Sequence, residues 1–92
     1  MEKKNRRSVI ERAAEMFELP GEALAGMPKL EMTGNRRLHI EGHKGVLEYS
    51  SVLIAVNGGA ALMKICGAQL EIVSMNAEEL LITGDIRRLE FD

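Results

Sequence analysis

The chain has 92 residues, with 12 Lys or Arg and 14 Asp or Glu, so its formal net charge is -2. This length fits one small domain, and the hydrophobic content of 46% excludes an intrinsically disordered chain. The sequence contains no apolar run of the roughly 18 residues that a membrane-spanning helix needs, and its single cysteine, Cys66, excludes an intramolecular disulfide. We therefore expect one cytoplasmic domain.

Residues 1–7 are predicted to form a basic N-terminal arm, because four of the seven are Lys or Arg. One interpretation is a solvated chain terminus without a specific contact. The other is a contact with an acidic partner or with an anionic lipid surface, where each basic residue contributes about 1 kcal/mol.

Residues 8–18 are predicted to form a short helix. Ser8 and Glu11 have the spacing of a capping box. Proline and glycine at positions 20 and 21 end the segment, since proline lacks the amide donor that a helix requires. The apolar residues recur at helical spacing and form one stripe: Ile10, Ala13, Ala14 and Phe17.

Residues 28–92 are predicted to form a β body, because apolar and polar residues alternate with a period of two. Asn57, Gly58 and Gly59 give the strongest hairpin signal, since Asn-Gly adopts the positive φ angles of a tight turn. We predict a mostly β domain in which the helix precedes a small antiparallel β roll or sandwich of about seven short strands. The strands include residues 60–66, 68–75, 79–83 and 86–91 as separate elements.

Three segments resemble one another: residues 30–40, residues 80–91 and, more weakly, residues 63–72. Each places a glycine between two alternating stretches, which predicts that Gly34 and Gly84 occupy equivalent bends. Three copies also fit a minimal β-solenoid, which is the alternative fold. The hairpin signal favours the antiparallel roll or sandwich.

The alternation also predicts which apolar residues face the interior. The predicted inner face comprises Leu30, Met32, Leu38, Ile40, Ile54, Leu70, Ile72, Leu80, Ile82 and Leu89.

We find no residue pattern typical of an enzyme. No serine lies in a nucleophile elbow, and the glycines of residues 42–45 lack the spacing of a phosphate-binding loop. A metal site would have to use His39, His43 and Cys66, which the predicted strand and turn do not bring together. We therefore expect a protein without catalytic activity, cofactor or metal.

Two arginine pairs occupy matching places in the similar segments, so we expect them near each other at one sheet edge. They fit charges that protect an edge strand from aggregation, a contact with an anion or a protein, or a contact with nucleic acid. The acidic net charge and the scarcity of aromatic residues argue against nucleic acid. The candidate interaction residues are Arg6, Arg7, Arg36, Arg37, Arg87 and Arg88.

Four stretches, at residues 18–20, 28–35, 38–47 and 80–86, together closely resemble the YabP/YqfC family of sporulation proteins, and its YqfC branch in particular. The similarity extends over nearly the whole chain and rests on glycine turns and alternating strands. Residues 8–92 are thus expected to form one YabP/YqfC-like domain.

The resemblance implies a role in endospore formation in Gram-positive bacteria. It also implies a membrane-bound sporulation protein of the YqfD type as partner, which would hold the chain at the membrane periphery. It implies no enzymatic activity, so we expect an interaction module, with self-association through exposed strand edges as a further expectation. The alternative is a small anion- or nucleic-acid-binding β-domain that uses the arginine pairs.

Overall fold

The computed structural model describes residues 26–92, which form one six-stranded antiparallel sheet in the order β1-β2-β6-β5-β4-β3. The predicted arm and helix lie outside these residues. Within residues 26–92 there is no helix that is long and apolar enough to cross a membrane. The strands are β1 (Lys29–Thr33), β2 (Arg37–Glu41), β3 (Val46–Tyr49), β4 (Leu53–Asn57), β5 (Leu62–Met75) and β6 (Glu79–Phe91).

The two longest strands, β5 and β6, divide the sheet into two half-sheets. The first half-sheet joins β1 and β2 to residues 79–83 of β6 and residues 71–75 of β5. The second half-sheet joins β3 and β4 to residues 62–66 of β5 and residues 86–91 of β6. Both long strands therefore run through both half-sheets.

Glycines allow the two long strands to bend against each other. A Cβ atom on Gly67 would overlap the carbonyl oxygen of Asp85, and one on Gly84 would lie 2.7 Å from the carbonyl oxygen of Gln69. Gly84 has a φ of 141° and Gln69 a φ of 54°, and the pairing register shifts between Ala68 and Glu71. This bulge bends β5 and β6 where the two half-sheets meet.

The inner faces of both half-sheets form one aliphatic core. Residues that lie directly opposite each other on neighbouring strands share a face of the sheet. The fully buried side chains come from the first half-sheet (Leu38, Ile40, Leu80 and Ile82) and from the second (Ile54, Val56, Met63 and Ile65). The two half-sheets share this core, and the prediction of a mostly β, antiparallel domain is confirmed.

Nine of the ten predicted inner-face residues are buried or partly buried, and the prediction is wrong for Met32. Its side chain is 42% exposed. Met32 lies on the edge strand β1, which has a partner strand on only one side among the described residues.

The predicted strand count and the solenoid alternative are wrong. Residues 26–92 contain six strands instead of about seven, because residues 60–66 and 68–75 merge into β5, and residues 79–83 and 86–91 merge into β6. All strand pairs are antiparallel, whereas a solenoid stacks parallel strands. Interior glycines here bend strands without ending them.

The predicted hairpin between β4 and β5 forms, but its turn is longer than the Asn-Gly signal indicates. The loop spans residues 58–61, and the amide of Gly58 donates to the carbonyl of Ala61. The positive φ of 82° belongs to Gly59, while the Asn57 side chain accepts a 2.9 Å hydrogen bond from the Gly59 amide. Asn57 thus closes the loop with its side chain.

The predicted equivalence of Gly34 and Gly84 is also wrong. Gly34 lies in the turn between β1 and β2, whereas Gly84 lies within β6. Both have positive φ, but one residue reverses the chain and the other bends a continuous strand.

Candidate functional site

The turn between β1 and β2 lies against the bend of β6. The carbonyl of Asn35 accepts a 2.8 Å hydrogen bond from the Ile86 amide, and the carbonyl of Arg36 accepts one of 3.2 Å from the Gly84 amide. The Asn35 side-chain amide donates to the Asp85 carboxylate over 2.9 Å. Backbone hydrogen bonds therefore join two of the similar sequence segments, at the turn of the first and at the strand bend of the second.

Of the four described candidate arginines, Arg87 and Arg88 bind carboxylates of their own strand. Arg87 donates two hydrogen bonds to one Asp85 oxygen, of 3.1 Å from Nε and 2.9 Å from Nη2. Arg88 lies 2.9 Å from Glu90. A hydrogen bond with Cys66, together with the Glu90 charge, raises the pKa of Arg88. These pairs already neutralise both side chains.

Arg36 and Arg37 are exposed, and neither forms an ion pair with another residue of the range 26–92. Arg37 lies opposite Thr83 in the β2–β6 ladder. Arg6 and Arg7 lie outside the described residues. The two arginine pairs thus differ: one pair is available for a partner, while the other is held by Asp85 and Glu90.

His43 is the buried polar residue of the described core, with 5% of its surface exposed. Its Nδ1 accepts a 3.0 Å hydrogen bond from the Gly45 amide, so Nε2 carries the proton and donates to the carbonyl of Asn76 over 2.9 Å. The ring fastens the loop after β2 to the turn between β5 and β6. Because both ring nitrogens are used, His43 has a structural role.

The three residues that we considered for a metal are not brought together. His39 lies on β2, His43 is enclosed by backbone groups, and Cys66 belongs to the second half-sheet. A set that the sequence did not indicate is His39 with Glu41 and Glu79, whose ligand atoms lie within 4.8 Å of one another. Glu79 is distant in sequence and joins the set through strand pairing. Imidazole and carboxylate groups are donors for divalent cations.

Exposed apolar residues that the sequence did not indicate lie on β3 and on the second part of β5. Leu47 is 63% exposed, Tyr49 is 52% exposed and Val73 is 48% exposed. The register shifts in β3 between Val46 and Glu48, and in β5 between Ile72 and Ser74. Leu47 and Val73 are therefore bulge residues, whose side chains are redirected toward solvent. A strict alternation cannot reveal such positions.

The Tyr49 hydroxyl connects these two strands by accepting a 3.0 Å hydrogen bond from the Ile72 amide. We call Leu47, Tyr49, Val52 and Val73 the β3 surface. Val52 is also exposed and lies in the turn that leads from β3 into β4. Exposed apolar groups of this kind mark a candidate interaction site.

The YabP family profile matches residues 25–92, which coincide with the described β body. The chain belongs to the YabP family. It is similar to the uncharacterized protein YqfC of Bacillus subtilis (strain 168), with 30% identity over 72 residues, which cover 76% of this chain and 75% of that relative. No solved structure matches the chain. The expected resemblance to the YabP/YqfC family is thus confirmed.

Proposed function

We propose that this chain is a sporulation protein that acts as a non-enzymatic interaction module, docking through the β3 surface on a membrane-bound sporulation partner of the YqfD type. Membership of the YabP family supports the role in endospore formation. The exposure of the β3 surface supports docking there and is the observation that carries the proposal.

The two edge strands of the sheet differ in how they are protected. β1 carries Lys29 and Glu31 among its five residues, whereas β3 carries Glu48 as its one charge. Charged side chains on an edge strand oppose pairing with another chain. The β3 edge is thus the better template for a strand or apolar segment of a partner.

The alternative of anion or nucleic-acid binding has weaker support. Arg87 and Arg88 are paired with Asp85 and Glu90, so a phosphate would have to compete with existing carboxylates. Binding to nucleic acid gains its affinity from free basic groups that release counterions. Only Arg36 and Arg37, of the described candidates, meet that condition.

The experiment is co-purification of the tagged full chain with a YqfD-type membrane protein from detergent extracts. Leu47→Glu and Val73→Glu are expected to reduce recovery at least about tenfold, since a charge buried in an apolar contact costs more than 1.4 kcal/mol. Ala77→Glu is the matched control, because Ala77 is exposed in the turn between β5 and β6. Equal recovery for all variants would contradict docking at the β3 surface, and no recovery with the wild-type chain would contradict the partner.

A further inference from the structure

Three side chains that can bind a metal lie together on the outer face of the first half-sheet. His39 and Glu41 are two residues apart on β2, and side chains at that spacing share a face of the sheet. Glu79, at the start of β6, lies directly opposite Glu41 in the antiparallel ladder. One ring nitrogen of the histidine and one carboxylate oxygen of each glutamate all lie within 4.8 Å of one another. Strand pairing thus gathers three donor atoms on a sheet whose other face is buried in the core.

The separation of two of these atoms matches a shared metal ion better than a direct hydrogen bond. His39 Nε2 and Glu79 Oε1 are 3.5 Å apart. A hydrogen bond from a charged nitrogen to a carboxylate is about 2.7–2.9 Å long. A tetrahedral Zn²⁺ ion holds its nitrogen and oxygen ligands at about 2.0–2.2 Å, which places two ligand atoms about 3.4 Å from each other. The observed distance is therefore the one that a bound ion requires.

The two carboxylates lie opposite each other without a basic side chain to balance them. Like charges directly opposite in a ladder destabilise the pairing of the two strands. Lys29 lies opposite Glu41 on its other side, but no ion pair within residues 26–92 joins a Lys or Arg to Glu41 or Glu79. A divalent cation at this place would balance both carboxylates at once.

The turn between β5 and β6 holds one of the three ligands in position. Asn76 Nδ2 donates to Glu79 Oε2 over 3.4 Å, while Oε1 of the same carboxylate is the atom near His39. Hydrogen bonds to the second oxygen orient the carboxylates that bind metals. Glu41 and Glu79 also line an open cavity of about 1100 Å³. Solvent therefore reaches two of the three donors, and water can complete the coordination of an ion.

We propose that His39, Glu41 and Glu79 bind one divalent transition-metal ion, for which Zn²⁺ is the probe. The imidazole nitrogen favours zinc and similar metals, whereas Mg²⁺ and Ca²⁺ prefer oxygen ligands throughout. Three protein ligands leave a coordination position for water or for a further ligand. The site departs from the expectation that the sequence gives, because Glu79 joins the other two residues only through the pairing of β2 with β6.

Calorimetric titration of the full chain, without an affinity tag, with Zn²⁺ tests this site. The chain carries Cys66→Ser, so that the thiol does not bind the ion, and we expect one Zn²⁺ per chain. His39→Gln and Glu79→Gln should each weaken binding at least about tenfold, because even the hydrogen-bond partners of metal ligands contribute that much. Glu48→Gln is the matched control, since it removes one exposed carboxylate from β3 in the other half-sheet.

Absence of binding at millimolar Zn²⁺ would overturn the proposal. Equal affinity for all three variants would also overturn it, since the ion would then be held elsewhere in the chain. A second measurement leaves the site unchanged and shows whether each variant is folded: the amide resonances of the isotope-labelled chain with and without Zn²⁺. Residues 39–41 and 79 should shift more than residues 53–57 of β4, and larger shifts in β4 would contradict the proposal.

Discussion

The hydroxyl of Tyr49, on β3, accepts a hydrogen bond of 3.0 Å from the backbone amide of Ile72, on β5. No strand ladder joins β3 and β5 among the described residues, so this side chain links the two half-sheets where their backbones do not pair. The Ile72 amide therefore has a hydrogen-bond partner, while the apolar side chains of the β3 surface stay exposed.

Replacing Tyr49 with Phe removes this acceptor while keeping the ring. We expect a loss of about 0.5–1.5 kcal/mol in the free energy of unfolding, which is the usual net contribution of one hydrogen bond. Urea unfolding measures the change, and hydrogen exchange at the Ile72 amide should become faster. Protection of Ile72 equal to that in the wild-type chain would show that the link does not form in solution.

Replacing Gly84 with Ala should be far more damaging than replacing Gly34 with Ala. A Cβ on Gly84 meets backbone atoms, 2.7 Å from the Gln69 carbonyl oxygen and 2.9 Å from the Leu70 Cα, whereas one on Gly34 has open space around it. Gly34→Ala should cost only about 1–2 kcal/mol for its positive φ. Thermal unfolding of both variants compares them, and equal losses would contradict the bent-strand contact.

Replacing His43 with Phe keeps the ring volume but removes both hydrogen bonds. The Gly45 amide and the Asn76 carbonyl then lose their partner, and each buried group left unpaired costs about 1–3 kcal/mol. His39→Phe is the control, because His39 is partly exposed and its Nε2 lies 3.5 Å from a carboxylate oxygen of Glu79. Comparable melting temperatures for the two variants would argue against the structural role of His43.

The Lys64–Asp92 ion pair predicts a stability difference that depends on pH. The hydrogen bond and the charge of Asp92, 3.0 Å from Lys64 Nζ, raise the pKa of Lys64 above its ordinary value of 10.5. A raised folded-state pKa adds stability below pH 10.5 that is lost as the pH rises through the folded value. The effect is small, since both groups are exposed.

Comparing wild type with Lys64→Met from pH 8 to pH 12 checks this prediction. The wild-type chain should be slightly more stable at pH 8, and the difference should shrink above pH 10.5. A difference that grows with pH would have the wrong sign.

The sequence predicted the inner face well, because a period of two places Leu38, Ile40 and Ile82 on one side of their strands whichever strands pair. It did not predict that β5 and β6 are continuous. A glycine that bends a strand and one that ends it look alike in sequence, and the Gly84–Gln69 contact depends on tertiary packing.

The candidate site was less predictable than the fold. The arginine pairs were expected near each other at one edge, but the backbone hydrogen bond in this region joins Arg36 to Gly84 and involves neither Arg87 nor Arg88. The carboxylate partners of Arg87 and Arg88 were not anticipated, although Asp85 and Glu90 are two residues away from them. The β3 surface depends on two bulges, and a bulge shifts the alternation only after the pairing register is known.

The proposed role of this chain in endospore formation is tested by counting heat-resistant spores from a strain that lacks the chain. We expect far fewer heat-resistant spores with normal vegetative growth. The wild-type chain and Ala77→Glu should restore the spore count, whereas Leu47→Glu should not. A spore count equal to that of the parent strain would contradict the role in sporulation. Full restoration by Leu47→Glu would contradict the function of the β3 surface.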